Sequence, residues 1–361
     1  MTGHPDWTCR AYTDFCCKNY FARYDDPLLP LLSGPKERKA FNVSRREEDG
    51  RRAQGAEVHL ENMTWGRLAQ RYGWDSYAPP IEHGGDVFEL AAISNALLQY
   101  KAEVRRSGGI GRRDFVIVEL GAGFGRWSLE ATALARRLHV KVKSICVEAE
   151  PQHVRFLEDA FWEMEVPEEQ VEIIVAVVGE EDGQGWFVVG NAREWWGQSL
   201  KLELDPWDQD TADPVEAKQT RWQPVLVISL KTLLEREAIV DLVNFNCQDS
   251  EVHVIRGATT VPGDVLSKIK MMVISTHSWK AENEILALLC SHGWHLVATN
   301  PISAARPGGI SFHANLILGR ISKGPTDGLQ IWANPKHVNV EQEFGAFQVQ
   351  GCFSLPYAFE H

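Results

Sequence analysis

A glycine-rich turn, Glu119-Leu-Gly121-Ala-Gly123-Phe-Gly125, constrains this chain more than any other feature. It follows the apolar run FVIVEL at 115–120 and precedes an Ala- and Leu-rich stretch at 127–138. A short continuous apolar run reads as a strand buried on both faces, and the stretch after it as a helix. Glycines are needed between them because the chain must turn sharply and let a ligand approach backbone where a Cβ would intrude. The pattern is GxGxG, with Arg126 where a dinucleotide fingerprint carries its third glycine. A pyrophosphate on the helix N-terminus is therefore less well served than in a nicotinamide enzyme.

From Asp114 onward, strand and helix patterns alternate, which predicts a largely parallel sheet covered on both sides. After the first strand and helix come a strand at 142–147, a helix at 154–164 and a strand at 171–178. An insertion then runs from 179 to about 224, with tryptophans and the acidic stretch LDPWDQDTADP. A loop that long in a compact domain is usually functional or disordered, and its aromatic content favours function. The order resumes with a strand at 242–247, a helix at 251–257, a strand at 271–276 and a helix at 281–292. Stretches 294–299 and 312–318 read as a closing pair, the last antiparallel. Upstream, Asp86 is placed to cap a helix carrying Leu90, Ile93 and Leu97 at helical spacing, with Glu89 completing a capping-box pattern.

At 361 residues the chain can bury a sizeable core, and 44% hydrophobic with 24% charged residues is an ordinary globular balance. A formal net charge of −12 supplies no general field for phosphate backbones, which argues against nucleic acid as the main partner. The N-terminus shows no leader pattern and no run is long enough for a membrane span, so a cytoplasmic location is expected. The seven cysteines favour reduced thiols over a disulfide framework. Cys9, Cys16 and Cys17 with His4 lack CxxC spacing, and no metal site is expected there.

The second chemical signal is Glu148, directly after the second strand. Ligands of open α/β sheets sit beyond the carboxyl ends of the strands, so Glu148 belongs beside the glycine turn. There it can accept hydrogen bonds from both hydroxyls of an adenosine ribose. Glu119 is expected nearer a charged amino-acid end, where its charge suits an ammonium.

Five blocks occur in this chain in the order seen in FkbM-type methyltransferases: ELGAGFGRW, VEAEP, AVVGEEDG, DLVNFNCQDSEVHVIRGA and VISTHSWKAENEILALLCSHGWHL. The chain resembles that family over about residues 84–320. The resemblance implies a class I, Rossmann-like core with a seven-stranded, mostly parallel sheet and helices on both faces. It also implies S-adenosyl-L-methionine as methyl donor and a hydroxyl acceptor on a sugar, glycan or polyketide-type metabolite. By the same resemblance Gly121, Ala122, Gly123, Gly125 and Asn246 lie at the cofactor, Ala149 lines it beside Glu148, and Ala176 and Val177 lie near the adenine. Residues 1–83 are then an N-terminal extension and a candidate substrate cap, and 321–361 a C-terminal extension.

The chain departs from the family block KIDVEG or KIDVQG. Asn246 replaces the usual aspartate and Asp249 stands at the usual glycine. An amide can hold a hydroxyl but cannot take its proton. Candidate proton acceptors are His277, whose unperturbed pKa of about 6.5 suits exchange near neutrality, with Glu251 and Asp249. The two carboxylates could alternatively contribute to a metal-assisted route. For the acceptor, Trp195, Trp196 and Gln198 in the insertion, with Tyr77 and His83 before the first core helix, are candidates, since aromatic rings suit sugars and flat metabolites alike. Two other readings stand beside the methyltransferase: a cofactor-binding relative without turnover, and a nicotinamide-dependent oxidoreductase.

Overall fold

The apolar runs at 115–120, 142–148, 171–175, 240–245 and 269–276 all become strands of one sheet. The computed structural model describes residues 84–108, 113–189, 198, 200–203, 221–248, 250–260, 265–300 and 328–339. The chain enters through helix α1 (Gly84–Arg106) and continues as β1 (Phe115–Leu120), α2 (Arg126–Arg137), β2 (Val142–Glu148), α3 (Pro151–Glu163) and β3 (Val171–Val175). Short strands β4 (Val177–Gly179), β5 (Gly183–Val189), β6 (Leu200–Lys201) and β7 (Arg221–Ser229) follow, with a one-turn helix α4 (Leu230–Leu233). The last part is β8 (Val240–Phe245), α5 (Glu251–Thr260), β9 (Ile269–Thr276), α6 (Trp279–Ser291), β10 (His295–Asn300) and β11 (Gly328–Ala333).

The main sheet has seven strands in the order β10-β11-β9-β8-β1-β2-β3. β3, β2, β1, β8 and β9 run parallel, while β11 pairs antiparallel with both β9 and β10. The α/β class and the mostly parallel seven-stranded sheet are as expected. From β1 the chain steps to β2 and β3 on one side, then returns to β8 on the other. The order thus reverses between β1 and β8, and adjacent connections leaving in opposite directions open a crevice at the strand tips.

Three elements differ from the expectation. The run 171–178 is two strands, because Ala176 interrupts it and β4 leaves the main sheet to pair with β7. The insertion carries a second sheet, ordered β4-β7-β5-β6. Pro224 is tolerated within β7 because there the strand pairs only with β5; its pairing to β4 begins at Val227. The sheet's antiparallel strand among the described residues is β11, so the sheet continues past residue 320, while 312–318, expected as the closing strand, lie outside the described residues. At the entry, α1 already starts at Gly84, which places Asp86 inside it. Glu89 accepts a hydrogen bond from the Asn244 amide (3.3 Å) on β8, tying α1 to the sheet. Cys146 and Cys247 are free thiols, whereas Cys290 is disulfide-bonded, so the expectation of reduced thiols holds for the first two.

At the N-terminal edge of the parallel strands a buried ion cluster fixes the register. Asp241 on β8 accepts from both terminal nitrogens of Arg113 (2.5 and 2.6 Å) and from the backbone of Val116 (2.9 Å), and lies 3.2 Å from Lys270 on β9. Lys270 also pairs with Glu103 on α1. Each buried charge is paired and hydrogen-bonded, which is what makes it tolerable in a core. The opposite edge, where the strands end, is left for chemistry.

Candidate functional site

Three glycines of the turn adopt positive φ: Gly121 (70°), Gly123 (54°) and Gly125 (74°). The N–H groups of Gly121 and Ala122 donate to Val147 O (3.0 and 2.9 Å), and Asn246 N donates to Leu120 O (3.0 Å). The tips of β1, β2 and β8 are thereby laced together. A Cβ on Gly121 would stand 2.1 Å from the Asn246 carbonyl oxygen, and one on Gly125 2.1 Å from the Leu157 side chain. Gly121 is thus required by conformation and by space, since neither backbone can retreat.

The two carboxylates of the motif have separate tasks. Glu148 is bent back over the turn: one oxygen accepts from Gly123 N (2.6 Å), the other from Ala149 N and Glu150 N (2.9 and 2.7 Å). Glu119 does not line the cleft. It lies beneath the turn and accepts from Trp127 N (3.1 Å) and Ser128 N (2.9 Å), the free donors of the first turn of α2. Gly125 at the N-cap has no side chain to do this, so the strand supplies the cap. Burial pushes the Glu119 carboxyl up to about 7, against the pull of the Ser128 hydroxyl, these backbone donors and Arg126.

A cleft opens at the switch point, beyond the carboxyl ends of the parallel strands. Its lining joins Gly121, Gly123, Glu148, Ala149, Ala176, Val177 and Asn246, seven of the ten cofactor candidates. Ala122 instead packs in the apolar cluster with Phe124 and Phe156, and Gly125 faces Leu157. The second sheet supplies one wall through Val177, Phe187 and Leu200. Gln198 also lines it, with both N–H groups committed, to Glu150 (2.8 Å) and to Val188 O (2.9 Å). The wall on the β8 side is polar: Asn246, Gln248 and Ser250.

Beneath that polar wall, Glu251 is fully buried at the start of α5. Its Oε1 accepts from Cys247 N (2.6 Å) and lies 3.1 Å from Nδ1 of His277, at the end of β9. Nε2 of His277 is 3.1 Å from Nε2 of Gln248. His277 and Glu251, two candidate proton acceptors, are therefore brought together but do not line the cleft; each lies behind Gln248 or Cys247, which do. Asp249, Trp195, Trp196, Tyr77 and His83 lie outside the described residues.

Sequence reading missed His153, Phe187, Leu200, Gln248 and Ser250 as lining residues. His153 stands in the first turn of α3, and its Nδ1 is 3.7 Å from Glu148. A histidine five residues after a strand-tip carboxylate, at the start of a helix, was a legible signal. Phe187 and Leu200 were not legible, because nothing local announces that the inserted strands fold over the first sheet.

No protein-family model matches the chain, and no curated protein matches it. Among solved structures the chain is similar to a methyltransferase FkbM from Methylobacillus flagellatus KT, at 12% identity over 78% of this chain and 60% of that one, with a TM-score of 0.37. It is similar to an O-methyltransferase from Bacillus cereus in complex with SAH, at 8% identity over 81% and 96% of the two chains (TM-score 0.36). A third similar structure is a precorrin-6y C5,15-methyltransferase from Geobacter metallireducens GS-15, at 12% identity over 67% and 86% (TM-score 0.32).

Proposed function

We propose that this protein is an S-adenosyl-L-methionine-dependent methyltransferase of the FkbM type, transferring a methyl group to a hydroxyl of a sugar, glycan or polyketide-type metabolite. The observation that carries the reading is the meeting, in one cleft at the sheet's switch point, of a glycine turn with no room for a Cβ and a carboxylate at the next strand tip. Bare glycines at 121 and 123 leave backbone open on the cleft's lining, and at 121 any side chain would also drive β8 away from β1. Three backbone donors occupy Glu148, and a carboxylate offers about four acceptor sites. Capacity for a ribose hydroxyl therefore remains. The apolar wall of Val177, Phe187 and Leu200 suits the face of a purine, and the amide wall of Asn246 and Gln248 suits a polar reacting end.

When bound, the cofactor supplies an electrophilic sulfonium methyl. The protein's part is to hold acceptor oxygen and methyl in contact, which removes much of the barrier to a bimolecular displacement. Glu119 contributes by fixing the start of α2 and so the shape of the turn. The test is incubation with methyl-labelled donor and a mixture of glycans and polyketide-type metabolites, followed by mass spectrometry of the labelled product. A labelled ether supports the reading; label only on amines or carboxylates removes the O-methyl part. A second reading, a cofactor-binding relative without turnover, is favoured by Asn246, an amide that cannot accept a proton. Tight donor binding with no labelled product from any acceptor supports it instead.

A further inference from the structure

The chain of contacts behind the polar wall assigns an orientation to Gln248. Its backbone has φ 52°, a left-handed conformation uncommon outside glycine, and this holds the side chain between His277 and the cleft. An amide NH2 only donates. With Gln248 Nε2 at 3.1 Å from His277 Nε2, the ring nitrogen must be the acceptor. The ring proton then belongs on Nδ1, which faces the buried Glu251 carboxylate at 3.1 Å in an electrostatic contact without hydrogen-bond geometry. Glu251 is itself fixed by Cys247 N at 2.6 Å. The negative field of the carboxylate favours a proton on the nearer ring nitrogen, and that tautomer leaves the far nitrogen to accept from the amide.

We infer that Glu251 and His277 are positioning residues that turn the Gln248 carbonyl, rather than its NH2, into the cleft, where it accepts a hydrogen bond from the hydroxyl of the acceptor. This rests on the methyltransferase reading and deepens it, by naming the group that recognises the acceptor. His277 acts through Gln248 and does not touch the reacting oxygen. The geometry also discriminates substrate from product. A hydroxyl donates to the carbonyl oxygen, but a methyl ether has no proton to donate, so the product loses the contact that held the substrate. A site that hydrogen-bonds a hydroxyl rejects analogues lacking it, because its own polar atom is left unpaired.

The test uses the full chain saturated with S-adenosylhomocysteine, with binding first confirmed by calorimetry. Absence of that binding overturns the methyltransferase reading itself. With binding present, ¹⁵N NMR of the His277 ring reads the tautomer directly. The expected result is Nδ1–H in the wild type, lost in Glu251→Gln and in Gln248→Met. Next, 2,2,2-trifluoroethanol and its methyl ether serve as donor and non-donor probes, read through the Gln248 side-chain amide and His277 resonances. The alcohol should shift them, the ether should not, and Gln248→Met should abolish the response while a thermal melt shows it folded. A wild-type ring protonated on Nε2, no response to the alcohol, or equal responses to alcohol and ether overturns the inference and leaves the cofactor reading intact.

Discussion

At Gly121 one methyl group decides whether the site exists. The residue sits at φ 70° and a Cβ would meet the Asn246 carbonyl at 2.1 Å. Gly121→Ala should therefore cost about 1–3 kcal/mol of stability from the left-handed backbone alone, measurable as a lower urea midpoint. It should also weaken S-adenosylhomocysteine binding at least tenfold, because β8 must withdraw from β1. Wild-type affinity in the alanine variant would show that the turn is not the cradle. Glu148 sits at the other side of the same turn, holding Gly123, Ala149 and Glu150 by their N–H groups. A hydrogen bond to a charged group contributes about 1.5–3 kcal/mol, so Glu148→Ala should weaken cofactor binding roughly 10- to 150-fold, read by calorimetry.

Elements are coupled through Glu119, which links the end of β1 to the start of α2. Its carboxyl is raised to about 7 by burial, from an ordinary value of 4.5. The folded state therefore holds this proton more tightly than the unfolded chain. The associated stability is fully present below the unfolded value of 4.5 and is lost as pH rises through about 7, with an upper bound of about 3 kcal/mol. Urea midpoints should fall between those values in the wild type, and the fall should be shallower in Glu119→Gln. Equal slopes in both proteins would mean Glu119 is not the group responsible. The same residue marks a limit of the sequence. Its position in the motif was plain, but a strand-end carboxylate looks alike whether it serves a ligand or the next helix. Strands β1, β2, β8 and β9 were legible because parallel strands buried on both faces are continuous apolar runs. The break at Ala176 was not, because VEIIVAVV is one apolar run and only tertiary pairing sends Val177 to a second sheet. Glu148 was legible as a cleft residue, since strand tips of a parallel sheet converge, whereas Ala149 and Asn246 entered only through the family resemblance. Gln248 carries no sequence signal of its own; the orientation proposed for it depends on His277, a residue 29 positions away whose approach no local pattern encodes.

For the whole molecule, the seventh strand matters as much as the first. β11 lies between β9 and β10 and pairs with both, so a chain ending at 320 would leave two unpaired strand edges inside the sheet. Such edges aggregate, and truncation after residue 320 should yield insoluble or unfolded protein by circular dichroism, whereas a mere tail would leave a folded core. The buried ions at the far edge of the sheet should behave likewise. Asp241→Ala removes the buried carboxylate from Arg113 and Lys270, although Lys270 keeps Glu103 and Arg113 is partly exposed, so the cost should stay below the roughly 3–5 kcal/mol of a fully buried broken pair. No helix among the described residues is long and apolar enough to cross a membrane. The sheet, anchored at one edge by charge, presents the glycine turn and Glu148 together at the other. The most direct measurement of what that edge does is a calorimetric titration of the full chain with S-adenosylhomocysteine, with NADH in parallel. Saturable one-to-one binding of the nucleoside thioether, abolished by Glu148→Ala and absent for NADH, is the predicted result. No heat from the thioether at millimolar concentration, or saturable binding of NADH alone, would contradict it.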